Sequence, residues 1–151
     1  MMVLSAEQIR LWDAFTISDQ HITSLELMER AVSRCMEWLG ANNFLHRTFA
    51  IYCSKGNNGA DGLVLGRMLQ AQNRAVSVFI LENGKPGTPE FEANLRRLIE
   101  SGTHPTQLSI TDAIPPVPKN VLVIDAVFGS GLNRPPDDLS KLVIDHLNAC
   151  G

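Results

Sequence analysis

The stretch Ser54-Lys55-Gly56-Asn57-Asn58-Gly59-Ala60-Asp61-Gly62 follows an apolar run and precedes a helical pattern. Two adjacent asparagines flanked by glycines supply side-chain carbonyls, amide donors and tight backbone. That set suits hydrogen bonding to hydroxyls or coordination of a hard cation through oxygen. Gly56, Gly59 and Gly62, with Glu82 at the end of the next apolar run, approach a dinucleotide fingerprint. The fingerprint started at Gly56 requires glycine where Asn58 and Asp61 stand, and the second glycine is the one that admits a pyrophosphate. A carboxylate at Asp61, near a helix N-terminus, would also oppose a phosphate there. An NAD-dependent dehydrogenase is therefore the weakest reading of this loop. The bland alternatives are a solvent turn, or Asp61 as a simple N-cap. A hairpin is disfavoured because the residues after Asp61 have helical rather than strand spacing.

A second group of residues lies downstream. Asp125 interrupts an apolar run at its carboxyl end, where a buried charge would require a partner or a bound cation. Capping of the following loop is its structural alternative. Phe128-Gly129-Ser130-Gly131-Leu132-Asn133-Arg134-Pro135 then offers flexible backbone, a hydroxyl and one cation, enough to hold a phosphate by N–H groups. Ser130 is not in a G-x-S-x-G context, so a hydrolase elbow is rejected. His21, His46, His104 and His146 are isolated and read as ordinary surface or core residues.

The elements that position these loops follow from periodicity. Ser5 with Gln8, and Thr23 with Glu26, form capping-box signatures opening two helices, to about Ile17 and to a stop at Gly40. Thr48 to Cys53 reads as a strand buried on both faces. Leu63 to about Gln72 has helical spacing, and Ala75 to Leu81 reads as a second strand. Thr88 and Pro89 supply an N-cap and first-turn proline for a helix through Ile99, closed by Gly102. A short extended piece near Thr106 to Leu108, a central strand from Asn120 to Ala126, and a last helix to about Ala149 complete the order. Strands alternating with helices predict an α/β fold: a Rossmann-like three-layer αβα sandwich with a mostly parallel sheet, preceded by two N-terminal helices. In such sheets ligands bind beyond the carboxyl ends of the strands where strand order reverses, which joins loop 54–62 to loop 125–135.

Composition excludes several classes. With 151 residues and 44% hydrophobic side chains the chain fits one domain. A net charge of −3, with its 13 Lys and Arg scattered, carries no footprint for nucleic acid. No apolar run has the roughly 20 residues of a membrane span, and the N-terminus has no signal-peptide pattern, so a cytoplasmic location without membrane contact is expected. Cys35, Cys53 and Cys150 lie in apolar patterns and read as reduced, buried thiols. Trp12, Phe15 and Trp38 give the N-terminal helices apolar surface to hide, on the sheet or in a homodimer.

With both loops in hand, Gly56-Asn57-Asn58-Gly59-Ala60-Asp61-Gly62-Leu63-Val64 and Asp125-Ala126-Val127-Phe128-Gly129-Ser130-Gly131-Leu132 resemble the YjeF N-terminal domain family, the NAD(P)H-hydrate epimerases. Leu4-Ser5-Ala6-Glu7-Gln8-Ile9 and Ser24-Leu25-Glu26-Leu27-Met28-Glu29-Arg30-Ala31 are similar to that family too. The resemblance implies interconversion of the R and S forms of hydrated NADH or NADPH (NADHX or NADPHX), beside a fused or separate dehydratase that restores the cofactor. It further implies that Asn57, Asn58, Gly59, Ala60 and Asp61, with Gly129, Ser130, Gly131, Leu132, Asn133, Arg134 and Pro135, contact the nucleotide. Asn58 and Asp125 would ligate a potassium ion. Inverting a hydroxyl-bearing ring carbon calls for a carboxylate acting as acid and then base, and Asp125 is the candidate. The family usually has glycine where Ser54 and Ala60 stand, and Ala60 would resist a positive φ. Family members also continue into a strand ending in an Asp-x-Pro-Ser-Gly type motif, which this chain does not reach, so a domain truncated at its C-terminus and inactive alone is expected. Related domains serve as scaffolds in messenger-RNA decapping or bind apolipoprotein A-I, which makes a non-catalytic nucleotide-binding or scaffold module the alternative.

Overall fold

The computed structural model describes residues 3–132 and 135–150. In chain order the elements are α1 (Ala6–Asp19), α2 (Ser24–Ala41), β1 (Thr48–Cys53), α3 (Asn57–Ala71), β2 (Val76–Leu81), α4 (Pro89–Glu100), β3 (Thr106–Leu108), β4 (Val121–Ala126) and α5 (Asp138–Ala149). The four strands are all parallel and stand in the order β3-β2-β1-β4. Phe49, Ile51, Val78 and Ile80 meet Val32, Met36, Leu63, Leu69, Phe91 and Leu98 of α2, α3 and α4 on one face. On the other face Ala50, Tyr52, Leu81 and Leu108 pack on Leu139 and Val143 of α5. The expected three-layer αβα sandwich is what forms.

Local chemistry explains most boundaries. Both capping boxes close reciprocally: Ser5 Oγ accepts from the Gln8 amide at 3.2 Å while Gln8 Oε1 accepts from the Ser5 amide at 2.8 Å, and Thr23 and Glu26 do the same. Thr88 caps α4 through the Phe91 amide, and Gly102 takes φ +93 just beyond that helix. α2 buries Val32, Met36 and Leu39, whereas α1 buries none of its residues.

Four expectations are corrected. Gly40 does not stop α2, which runs on to Ala41, and Asn43 takes the left-handed conformation beyond it (φ 58). The glycine-rich stretch is not a turn ahead of the helix: α3 already begins at Asn57, because packing against the sheet overrides the low helix propensity of Asn and Gly. β4 is an edge strand among the described residues, with Val121 to Ile124 half-buried, since an apolar run reads alike whether one or two neighbours pair with it. Of the three thiols only Cys53 is buried; Cys35 and Cys150 are exposed, and all three are free.

Candidate functional site

β1 has its successor β2 on one side and β4 on the other, so strand order reverses between β1 and β4. The two strands are in register to their ends, Tyr52 beside Asp125 and Cys53 beside Ala126, and the Ser54 amide adds one more bond to the Ala126 carbonyl at 3.2 Å. The loops that leave these strands are 54–56, which leads into α3, and 127–137, which leads into α5.

Glycines let α3 settle onto this edge. A Cβ built on Gly59 would stand 1.7 Å from the Ser54 carbonyl oxygen, and one on Gly62 would stand 2.7 Å from Ala126 Cβ and 2.8 Å from Cys53 Sγ. Residues three apart share a helix face, so these two glycines form the face pressed to the strands. Asn58 and Asp61, one position earlier on each turn, flank that face. The spacing that looks like a spoiled fingerprint is thus a packing ladder with two polar side chains along its rim. Ala60 is fully buried within α3 and, unlike His21, Asn43 and Asn73, has no positive φ, so alanine meets no strain there.

Four of the described helices start with a side-chain cap, from Ser5, Thr23, Thr88 and Asp137; α3 starts at Gly56, which has no side chain to offer. Asp61 is not the cap, since it lies a full turn inside the helix. The first amides of α3 are therefore open to an acceptor from outside, at the positive end of the helix dipole.

Asn58 turns its amide toward the second loop. The Cβ position of Gly129 is 3.2 Å from Asn58 Cβ and 3.4 Å from its Oδ1. Asp125 is exposed, which corrects the expectation of a charge buried at a strand end, and its Oδ1 accepts from the Val127 amide at 2.9 Å, shaping the start of that loop. Strand alternation sends Asp125 to the same face as Val121 and Val123, the α5 face, whereas Asn58 rides on α3. The two meet the sheet edge from opposite faces. Gly129, Ser130, Gly131 and Leu132 are exposed, with a turn in which the Leu132 amide donates to the Gly129 carbonyl, and Pro135 is exposed too. Asn133 and Arg134 lie outside the described residues.

Asp61 is half-buried, and its carboxyl is pushed up to about 6, first by burial and second by the nearby Asp13 carboxylate of α1. Nothing in sequence spacing pairs Asp13 with Asp61. Equally invisible are the ion pair of Lys55 with Glu82 at 2.5 Å and the bond from Asn83 Nδ2 to Asp137 Oδ2 at 3.2 Å. The available signal was weak: a lysine inside a glycine-rich turn, and a glutamate ending the adjacent parallel strand.

Among the described residues no three His, Cys, Asp or Glu side chains cluster as a metal site. The donors at this edge are oxygens, the Asn58 amide, the Asp125 carboxylate and strand-end carbonyls, a set of the kind that suits a hard cation and not a soft metal. Two open hollows, of about 360 and 380 Å³, are lined by none of these residues. No helix among the described residues is long and apolar enough to cross a membrane.

Comparison with known proteins gives a family and a fold. Residues 24–151 match the sequence family described as YjeF-related protein N-terminus. The chain is 31% identical over 150 residues to the NAD(P)H-hydrate epimerase of Limosilactobacillus fermentum, spanning 97% of this chain and 68% of that protein. It is 30% identical over 153 residues to the enzyme of the same name from Anaerococcus prevotii, 98% and 69% of the two chains. It is 31% identical over 140 residues to that of Rhodobacter capsulatus, 88% and 64%. The chain thus spans about two thirds of the length of these relatives. The crystal structure of yeast ynu0 superposes with a TM-score of 0.75 at 19% identity, over 99% of this chain and 66% of that one, a likeness of fold. On the match across residues 24–151 and the identities over nearly its whole length, the chain belongs to the YjeF-related N-terminal family.

Proposed function

We propose that the edge between β1 and β4 binds hydrated NADH or NADPH and epimerises it, the activity named for the relatives. The observation that carries the reading is the approach of Asn58 to Gly129 across the switch point, beside an α3 N-terminus open to an anion. The nucleotide phosphate would take the first amides of α3 and the backbone of Gly129 to Pro135, and the hydrated ring would lie toward Asp125. Asn58 and Asp125 would hold potassium, which would supply positive charge to offset that of the nucleotide.

Inversion at the hydroxyl-bearing ring carbon needs a proton for the departing oxygen and a base for the water that returns. Asp125 has one oxygen engaged by the Val127 amide and the other without a partner among the described residues. As the acid it protonates the hydroxyl while the carbon–oxygen bond breaks and water leaves; once the planar ring has turned its other face to it, the carboxylate takes a proton from the water that adds there. A second reading places the proton on Asp61, because a carboxyl held at about 6 keeps its proton nearer neutrality. Asp125→Asn and Asp61→Asn separate the two, since the true acid/base variant loses epimerisation and still binds.

The chain is further proposed to act in the cytoplasm beside a dehydratase, fused or separate, and to pair with a second copy through α1, where Leu11, Trp12 and Phe15 are exposed. The test of the central reading is thermal stabilisation by hydrated nucleotide in potassium, with sodium as control. At a hundredfold excess over Kd about 2.7 kcal/mol is expected, roughly 5–10 °C in Tm, and loss of it in Asp125→Ala. A nucleotide response that survives Asp125→Ala would favour the non-catalytic module, and no response from the unaltered protein in potassium would overturn the reading.

A further inference from the structure

Glu82 and Asn83, adjacent just past β2, reach in opposite directions. Glu82 Oε2 accepts from Lys55 Nζ at 2.5 Å and Glu82 Oε1 from the Gly84 amide at 2.9 Å. Lys55 Nζ donates also to the Lys85 carbonyl at 3.1 Å, and the Lys55 carbonyl accepts from the Thr88 amide at 3.0 Å. Segment 82–88 therefore grips Lys55 by side chain and backbone together. In the other direction Asn83 Nδ2 bonds Asp137, the residue that caps α5 through the Ser140 amide and ends the loop containing Gly129. Glu82 stands where a dinucleotide fold places its ribose-binding acid. Here both of its oxygens are engaged, and the Lys55 side chain that holds one of them is only 16% exposed.

We propose that segment 82–88 is a strut that sets the width of the nucleotide crevice, with Lys55, Glu82 and Asn83 as positioning residues; this rests on the nucleotide reading given above. One end is fixed at Lys55, directly before Gly56 and the first turn of α3 that carries Asn58. The other end is fixed at Asp137, where the chain leaving Asp125 and Gly129 enters α5. The two rims come from strands far apart in sequence, share β1–β4 bonds at their base and touch where Asn58 meets Gly129, and segment 82–88 adds the bonded cross-member that fixes their separation. A rim held in its bound position before the ligand arrives loses less freedom on binding, so releasing the strut weakens affinity without touching a ligand contact.

The experiment measures the Kd of hydrated nucleotide in potassium for the unaltered chain, Lys55→Met, Glu82→Gln, the double variant, Lys55→Arg and Asn83→Ala. Amide hydrogen exchange over residues 56–61 and 137–141 is followed in the same proteins without ligand. Lys55→Met and Glu82→Gln are each expected to weaken binding by roughly ten- to hundredfold, with the double variant no worse than the weaker single and Lys55→Arg close to the unaltered protein. Exchange at 56–61 should rise in both, and at 137–141 in Asn83→Ala. If Glu82→Gln binds as well or better while Lys55→Met binds worse, Lys55 touches the ligand itself and the strut is overturned; unchanged affinity in all variants also overturns it. If the unaltered chain binds no nucleotide, the crevice reading fails, and exchange alone then decides the strut: a rise at 56–61 supports it and unchanged exchange refutes it.

Discussion

Gly129 lies against Asn58, its Cβ position 3.4 Å from the asparagine Oδ1, and this contact joins two loops that are distant in the chain. A valine at 129 would drive the amide aside, yet the position is exposed and carries no positive φ. Gly129→Val is expected to leave the ligand-free Tm within a few degrees and to abolish the potassium-dependent shift with hydrated nucleotide. A valine variant with the full shift would show that the contact does not matter to binding.

Alanine is normally the better helix residue, by about 1 kcal/mol over glycine. At Gly59 the sign reverses, because the added methyl would stand 1.7 Å from a backbone oxygen that cannot rotate away. Gly59→Ala should lose about 3 kcal/mol or more in urea denaturation. Gly131→Ala, with nothing within 4 Å of its new methyl, should stay within about 0.5 kcal/mol and serves as the control.

Asp61 makes stability depend on pH. Its folded value of about 6 lies above the ordinary 3.8, so the contribution is fully present below about pH 4 and is lost as pH rises through 6. A shift of that size corresponds to about 3 kcal/mol, and partial solvent access reduces it to roughly 1–2. Asp61→Asn is accordingly expected to be more stable than the parent at pH 7.5 and equal to it near pH 4. Asp13→Asn should give a smaller change in the same direction, since burial is the larger cause. Denaturation at the two pH values checks both variants, and an Asp61→Asn gain that does not vary with pH would be incompatible with this account.

The dimer proposed through α1 has a simple readout. Leu11, Trp12 and Phe15 are 66%, 57% and 66% exposed, and α1 buries nothing in the protomer. Trp12→Glu with Phe15→Glu should convert a self-associating species into a monomer in sedimentation velocity while the far-ultraviolet spectrum stays unchanged. A parent protein that is monomeric at high concentration would end the proposal.

Asn94 is 2% exposed on α4; its Nδ2 reaches only Met28 Sδ at 3.6 Å, and its Oδ1 has no partner among the described residues. Replacement by leucine removes an unsatisfied buried carbonyl at similar volume and is expected to raise stability by about 1–2 kcal/mol. A loss in the denaturation midpoint would instead indicate a buried water bonded to that oxygen.

Where the causes are local, the fold was legible. Ser5, Thr23 and Thr88 cap the helices they were expected to cap because a side-chain oxygen reaches an amide three residues ahead whatever the rest of the chain does. Thr48 to Cys53, buried on both faces, needed only its unbroken apolar run. The start of α3 was not legible, since Gly-Asn-Asn-Gly reads as a turn until a sheet edge is placed beneath it. Nor was the place of β4 at the edge among the described strands, because residue types do not reveal how many neighbours a parallel strand has.

For the candidate site the division is similar. The chain by itself determines that two loops rich in glycine, asparagine and aspartate leave two apolar strands, and their motifs determine the family. Only tertiary structure decides that Gly59 and Gly62 are the pressed face of α3, that Asn58 turns to Gly129, that Asp13 raises Asp61, and that Lys55 and Asn83 brace the two rims through one segment. The reason is range: caps and periodicity act over three or four residues, whereas the contacts of Asp13 with Asp61, Lys55 with Glu82, Asn83 with Asp137 and Asn58 with Gly129 join residues from 27 to 71 positions apart and exist only once the parallel register brings β1, β2 and β4 together.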